Sequence, residues 1–257
     1  MNRRSKILLI RRRYVAAVAL CLAVAAIFYV INHPMLVGRG ALERVRPIYS
    51  VEREHKVMSL SFNATATEDP YTVQVMETLA AFGVRATFFV TCTWAYQHRD
   101  LAANLSAHGH EVMALGEHHH FLRMQTDKLF ENLNTCNHAI EKATGIRPTM
   151  FRVSRGEYDD MLISAVRAMG MQTVQWSIDG NAWQRLHHEA VLTRAAKAAH
   201  PGGIVLLYSD REGASELVFD LINTFWREGY MLVPVSELML QTEYIISPAG
   251  KQVAVRD

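Results

Sequence analysis

Cysteine is scarce in this chain: three among 257 residues, one of them, Cys21, inside an apolar N-terminal run. The other two, Cys92 and Cys136, do not make a disulfide framework, and their pairing stays open. A glycine-rich phosphate loop is missing, which removes P-loop and dinucleotide chemistry. So is a strand-to-helix elbow presenting a nucleophilic serine or cysteine, and Cys92, which follows an apolar run, has no histidine placed for it. The absence of internal repeats excludes solenoids and propellers.

Acid is absent from the opening MNRRSKILLIRRRY, which carries six Arg and Lys residues. An uninterrupted apolar stretch follows from Tyr14 to Ile31, 18 residues, near the lower limit for crossing about 30 Å of hydrocarbon. The basic cluster on its N-terminal side predicts a cytoplasmic tail over 1–13, a signal anchor over 14–31 and everything beyond on the outer side of the cell membrane. A cleavable signal peptide competes, given the small residues Ala23, Ala25 and Ala26. The apolar run nevertheless continues through Ile27–Ile31 without a polar cleavage region, which favours the uncleaved anchor. Setting the tail's six cations aside leaves 21 Lys and Arg against 25 Asp and Glu, about −4, so nucleic acid is not an expected partner.

Residues 32–55, with Pro34, Gly38, Gly40 and Pro47, read as a linker. One folded domain is expected over 56–245, followed by a C-terminal tail over 246–257. Within it, short apolar runs at 56–62, 84–91, 110–115, 148–153, 171–178, 203–208 and 230–235 read as strands. Segments of helical period fit between most of them: 71–82, 127–143, 157–169, 188–199 and 215–228, several stopped by glycine. Strands alternating with helices predict a parallel α/β fold, in which ligands gather at the carboxyl ends of the strands. Those ends bring forward Asn63, Leu115 to His120, Arg152, Asp179 and Tyr208.

Several ordered stretches, ATFFV (86–90), GHEV (109–112), FRVSRGEYDD (151–160), QWSID (175–179), GGIVLLYSD (202–210) and VPVSEL (233–238), resemble the polysaccharide deacetylases of the NodB homology type, carbohydrate esterase family four. The PdaB-type sporulation subgroup, with its membrane anchor and a lead-in like PIYSVEREHKV, is the nearest in look. The resemblance implies a distorted (β/α)7 barrel that removes N-acetyl groups from glycans with a divalent metal, commonly zinc. The metal polarises the amide carbonyl and activates water, a carboxylate takes the water's proton, and an imidazolium protonates the leaving amine.

The residues that would do this are largely replaced. The catalytic base falls on Asn63, and an amide does not accept a proton at neutral pH. Ala64 supplies no ligand. Of the two metal histidines four apart, the first falls on Leu115 and only His119 survives, where a catalytic zinc takes three protein ligands. Glu117, His118 and His120 crowd the same loop, and a shifted register using them is the minority alternative. Arg152 matches, with an ion pair to Asp179 or a purely structural role both open, while the usual Pro-Pro-Tyr reads Val153-Ser154-Arg155. Asp179 and Trp183 are kept, the latter as a ring platform for a sugar, but the second acid is Ala182. The general-acid histidine is Tyr208, a poor proton shuttle near neutrality with an ordinary pKa of ~10. The expectation is therefore a deacetylase frame without metal catalysis or a resident cofactor, binding cell-wall glycan or scaffolding at the envelope. The competing expectation is a divergent zinc-dependent deacetylase built around His119.

Overall fold

The computed structural model describes residues 46–116, 124–180 and 188–255. The predicted anchor at 14–31, the His119 loop and Trp183 lie outside them. No described helix is long and apolar enough to cross a membrane.

The chain enters on a short strand β1 (Ser50–Val51) and then forms β2 (Val57–Ala64). There follow α1 (Thr72–Ala81), β3 (Thr87–Val90), α2 (Cys92–Gln97), α3 (Arg99–Ala107), β4 (Glu111–Gly116) and α4 (Thr126–Thr144). Next come β5 (Met150–Val153), α5 (Asp160–Ala168), β6 (Gln172–Thr173), β7 (Ile178–Asp179), α6 (His188–Ala198), β8 (Ile204–Tyr208) and α7 (Ala214–Arg227). The chain ends with β9 (Met231–Leu232), α8 (Val235–Leu238), β10 (Tyr244–Ile246) and β11 (Lys251–Ala254). The main sheet runs β6-β5-β4-β3-β2-β8-β7, every neighbouring pair parallel, with β9 added beside the start of β2.

Alternation along β2 explains its position in the centre. Met58, Leu60, Phe62 and Ala64 join the core formed with the surrounding helices, where Phe62 stacks on Phe88 at 4.8 Å. Each helix presents an apolar stripe to that layer: Val75, Met76 and Leu79 from α1, Leu129, Leu133 and Ile140 from α4, Val218, Leu221, Ile222 and Phe225 from α7. The other face of the sheet turns inward, where Phe89, Met113, Leu115, Met150, Val174 and Ile204 form a second cluster with Val235 and Leu238 of α8.

Three expectations need correction. Residues 171–178 are two short strands, because the backbone of Gln175 leaves the ladder and donates to Ile48 O at 2.7 Å. Ile48 in turn donates to Thr173 O, and Val51 to Gly202 O, so the segment 48–51 bridges β6 to the start of β8. Among the described residues the barrel therefore curls without a β6–β7 ladder to close it. The expected linker and tail are also partly structured: β1 pairs with β11, which pairs with β10. Arg53 and Gln252 fasten this small sheet, Arg53 donating to the carbonyls of Glu237, Leu238 and Met239, and Gln252 exchanging hydrogen bonds with the backbone of Leu240. Gly202 makes the seat for β1: its φ is 75°, and a Cβ there would sit 1.7 Å from Val51 O. The third correction is that β2 runs two residues further than predicted, so Asn63 lies within the strand rather than after it.

Candidate functional site

At the carboxyl end of the sheet, register brings the expected residues together. Asn63 is the ladder partner of both Phe89 and Tyr208, and Leu115 is that of Arg152. Because Met58, Leu60 and Phe62 face the helices, the period of two sends Ser59, Ser61 and Asn63 to the interior. The same alternation turns Arg152 inward between Phe151 and Val153, which belong to the outer core.

Arg152 is the centre of the arrangement and has no solvent exposure. Its Nη1 donates to Asn63 Oδ1 at 3.2 Å, Nη2 to Ser61 Oγ at 2.8 Å and Gln175 O at 3.3 Å, and Nε to Val174 O at 3.4 Å. The guanidinium carbon lies 3.9 Å from the Phe89 ring centroid and 5.7 Å from that of Trp176. Every one of these acceptors is neutral. Burial accordingly pushes the Arg152 guanidinium down from its ordinary value to about 9, with an opposing electrostatic contribution from Tyr208. Nearby, Gln175 is buried with its Oε1 unpartnered.

The other expected residues are placed differently. Tyr208 is half-buried at the end of β8, with the Arg211 guanidinium carbon 5.4 Å from its ring centroid. Asp179 is exposed on β7, level with Leu206, while the hydrogen bonds of Arg152 go to Ser61, Asn63, Val174 and Gln175. The wall that reads Val153-Ser154-Arg155 makes a tight turn in which Arg155 has φ 63°, the only non-glycine residue with positive φ among those described.

Asp210 is a positioning residue that sequence reasoning undervalued. Its Oδ2 accepts from Thr65 N at 2.6 Å, Ala66 N at 2.8 Å and Thr65 Oγ1 at 3.1 Å, tying the loop after β2 to the loop after β8. Next to it, Thr72 Oγ1 donates to Asp69 Oδ2, and Trp94 Nε1 donates to the same oxygen. The available signal was an acid two residues beyond a strand end that faces a run of Thr and Ala.

A divalent metal was tested against these side chains. Leu115 and Ala64 are buried and apolar, and Asn63 spends its oxygen on a guanidinium. Among the described residues no group of three His, Cys, Asp or Glu is disposed to hold an ion. The described part of the site does not fit a metal.

A parallel sheet curled around a buried Asn–Arg pair, with helices on its outer face, defines an α/β domain of deacetylase type. The polysaccharide deacetylase family model matches residues 50–174. The peptidoglycan-N-acetylmuramic acid deacetylase PdaA of Bacillus subtilis is 27% identical over 207 residues, 79% of this chain and 78% of PdaA. The solved structure of PdaA gives a TM-score of 0.68 at 26% identity, covering 76% of this chain and 85% of that one. A mutant of the CE4 pseudoenzyme BA3943 with restored enzymatic activity, the wild type coming from Bacillus anthracis, gives 0.70 at 25% identity, covering 77% and 72%. The chain carries a polysaccharide deacetylase domain of the NodB, CE4 type.

Proposed function

We propose that this protein is a membrane-anchored, extracytoplasmic member of the family that binds cell-wall glycan or scaffolds at the envelope without metal-dependent deacetylation. The observation that carries the reading is the Asn63–Arg152 pair, in which the residue at the catalytic-base position is an amide whose oxygen accepts from a guanidinium at 3.2 Å. An amide oxygen held this way has no basic lone pair to offer a water. Tyr208 at the general-acid position and Leu115 at the first metal position support it, as do relatives that include both peptidoglycan deacetylases and a pseudoenzyme. Anchoring and outward orientation rest on residues 1–31, and a sporulation setting follows from the subgroup resemblance alone. Nucleic acid has no place in the scheme.

The test is acetate release by the full chain in detergent from acetylated peptidoglycan and chitooligosaccharides with zinc, cobalt or manganese, beside a working family member. No release, with retention on glycan, is expected. Metal-dependent release that disappears in His119→Ala would replace the reading with a rebuilt metal site in the loop at 117–120.

A further inference from the structure

Two arginines, Arg152 and Arg211, flank Tyr208 at the carboxyl end of the barrel. Arg152 lies beneath, a buried cation whose hydrogen bonds all go to neutral acceptors. Arg211 lies above, its side chain 55% exposed and its guanidinium carbon 5.4 Å from the Tyr208 ring centroid. The acids here are largely committed to backbone. Asp210 Oδ2 serves Thr65 and Ala66, Asp69 caps Thr72, Asp159 caps Leu162, and Asp179 and Glu157 are each already engaged. Asp210 Oδ1 stands 3.3 Å from Arg211 Nε, leaving the terminal nitrogens of Arg211 directed to no described partner. That single contact fixes the stem of the side chain and leaves its two-nitrogen fork to bind a carboxylate.

A neutral sugar would gain little from this layout, because hydroxyl groups are served equally well by the amides and hydroxyls common in glycan sites. A carboxylate gains more, since hydrogen bonds to a charged group are worth roughly twice those between neutral groups.

We propose that this end of the barrel selects glycans bearing sugar carboxylates, with Arg211 as the residue that reads the charge and Tyr208 as the surface on which it is held. This rests on the glycan-binding reading above. The shared chemistry is a carboxylate carried on a pyranose, whether as the lactyl ether of a muramic acid or as the C6 acid of a uronic acid. The outer part of the chain is about −4 overall, so the selection is local to this end of the barrel and not a matter of long-range steering.

The experiment is calorimetric titration of the full chain in detergent with three stem-peptide-free probes: chitotetraose, a muramic-acid-containing glycan strand and an oligogalacturonate. At least one acidic probe is expected to bind about tenfold more tightly than chitotetraose. Arg211→Gln should reduce that ratio to about two, and Arg211→Lys, which keeps the charge but loses the fork, should restore it in part. Which acidic probe prevails identifies the source of the carboxylate. Equal affinity for neutral and acidic probes would overturn charge selection while leaving glycan binding intact. A ratio unchanged in Arg211→Gln would remove Arg211 from the role. Binding of none of the three would overturn this inference together with the glycan reading it rests on.

Discussion

The two faces of strand β2 carry opposite histories on one eight-residue segment. Its outer face, Met58, Leu60, Phe62 and Ala64, packs wholly apolar against Phe88, Val90, Val205 and Leu207. Its inner face, Ser59, Ser61 and Asn63, is equally buried but polar: Arg152 donates to Ser61 and Asn63, Ser61 donates to Val205 O, and Ser59 Oγ has no described partner. Burial costs nothing for the first set and a great deal for the second unless partners are present. A fold can therefore lose its chemistry on one face and keep its frame on the other, because the two faces are stabilised by different interactions.

Substitutions on the two faces should separate these contributions. The largest effect is expected from Phe62→Ala, which removes a fully buried ring stacked at 4.8 Å and leaves a cavity against helices that have no room to collapse into it. A loss of about 3–5 kcal/mol should appear in denaturant unfolding. A loss below ~1 kcal/mol would mean that the outer face is not what holds β2.

Next is Arg152→Met. If Arg152 were merely an expensive buried charge, an apolar side chain of similar length would be neutral or stabilising. Because Ser61, Asn63, Val174 and Gln175 all depend on it for a donor, a loss of about 2 kcal/mol is expected instead. An unchanged or raised melting temperature would show that those acceptors find other partners.

The third, smaller effect runs the other way. Asn63→Asp converts a neutral acceptor into a charged one opposite Arg152, so stability at pH 7 should rise by about 1 kcal/mol. The new carboxyl would titrate below its ordinary value, so the gain should be full above that value and vanish as pH falls through the folded one. Thermal melts at pH 7 and in acid would check both signs. A destabilised variant would show that the guanidinium is already fully satisfied by its neutral partners.

The outer face was legible in the sequence and the inner one only in part. Alternating Met58, Leu60 and Phe62 announce a strand with a helix-facing side, and glycines after α1 and α4 mark helix ends that the structure places within a residue or two. The site residues Asn63, Arg152 and Tyr208 were found by their place at strand ends, and register then put them side by side. Long-range closure was not legible. Nothing local in Ile48 or Gln252 announces that one meets Thr173 and Gln175 on β6 and beyond it, and that the other pairs with Val51 near the start of the domain, since both depend on segments more than 100 residues apart meeting. The role of Asp210 was hidden for the same reason: its partners, Thr65 and Ala66, lie about 145 residues away in the chain.

A buried histidine on the outer side gives an effect that is spread over pH. His110 is 5% exposed, packs edge-on against Phe88 at 5.4 Å, accepts from Ala86 N through Nδ1, and leaves Nε2 without a partner. Burial, reinforced by the nearby charges of His108 and Arg85, lowers its pKa from 6.5 to about 4. The folded state thus holds His110 neutral where the unfolded chain would protonate it, so unfolding takes up a proton below pH 6.5. Stability should be full above pH 6.5 and fall as pH drops from there toward about 4, by at most about 1.4 kcal/mol per pH unit, before this contribution levels off. His110→Asn preserves an acceptor for Ala86 N, so it should lower stability through lost packing at every pH while flattening the slope between pH 6.5 and 4. An unaltered slope would show that His110 does not carry the acid sensitivity of this fold.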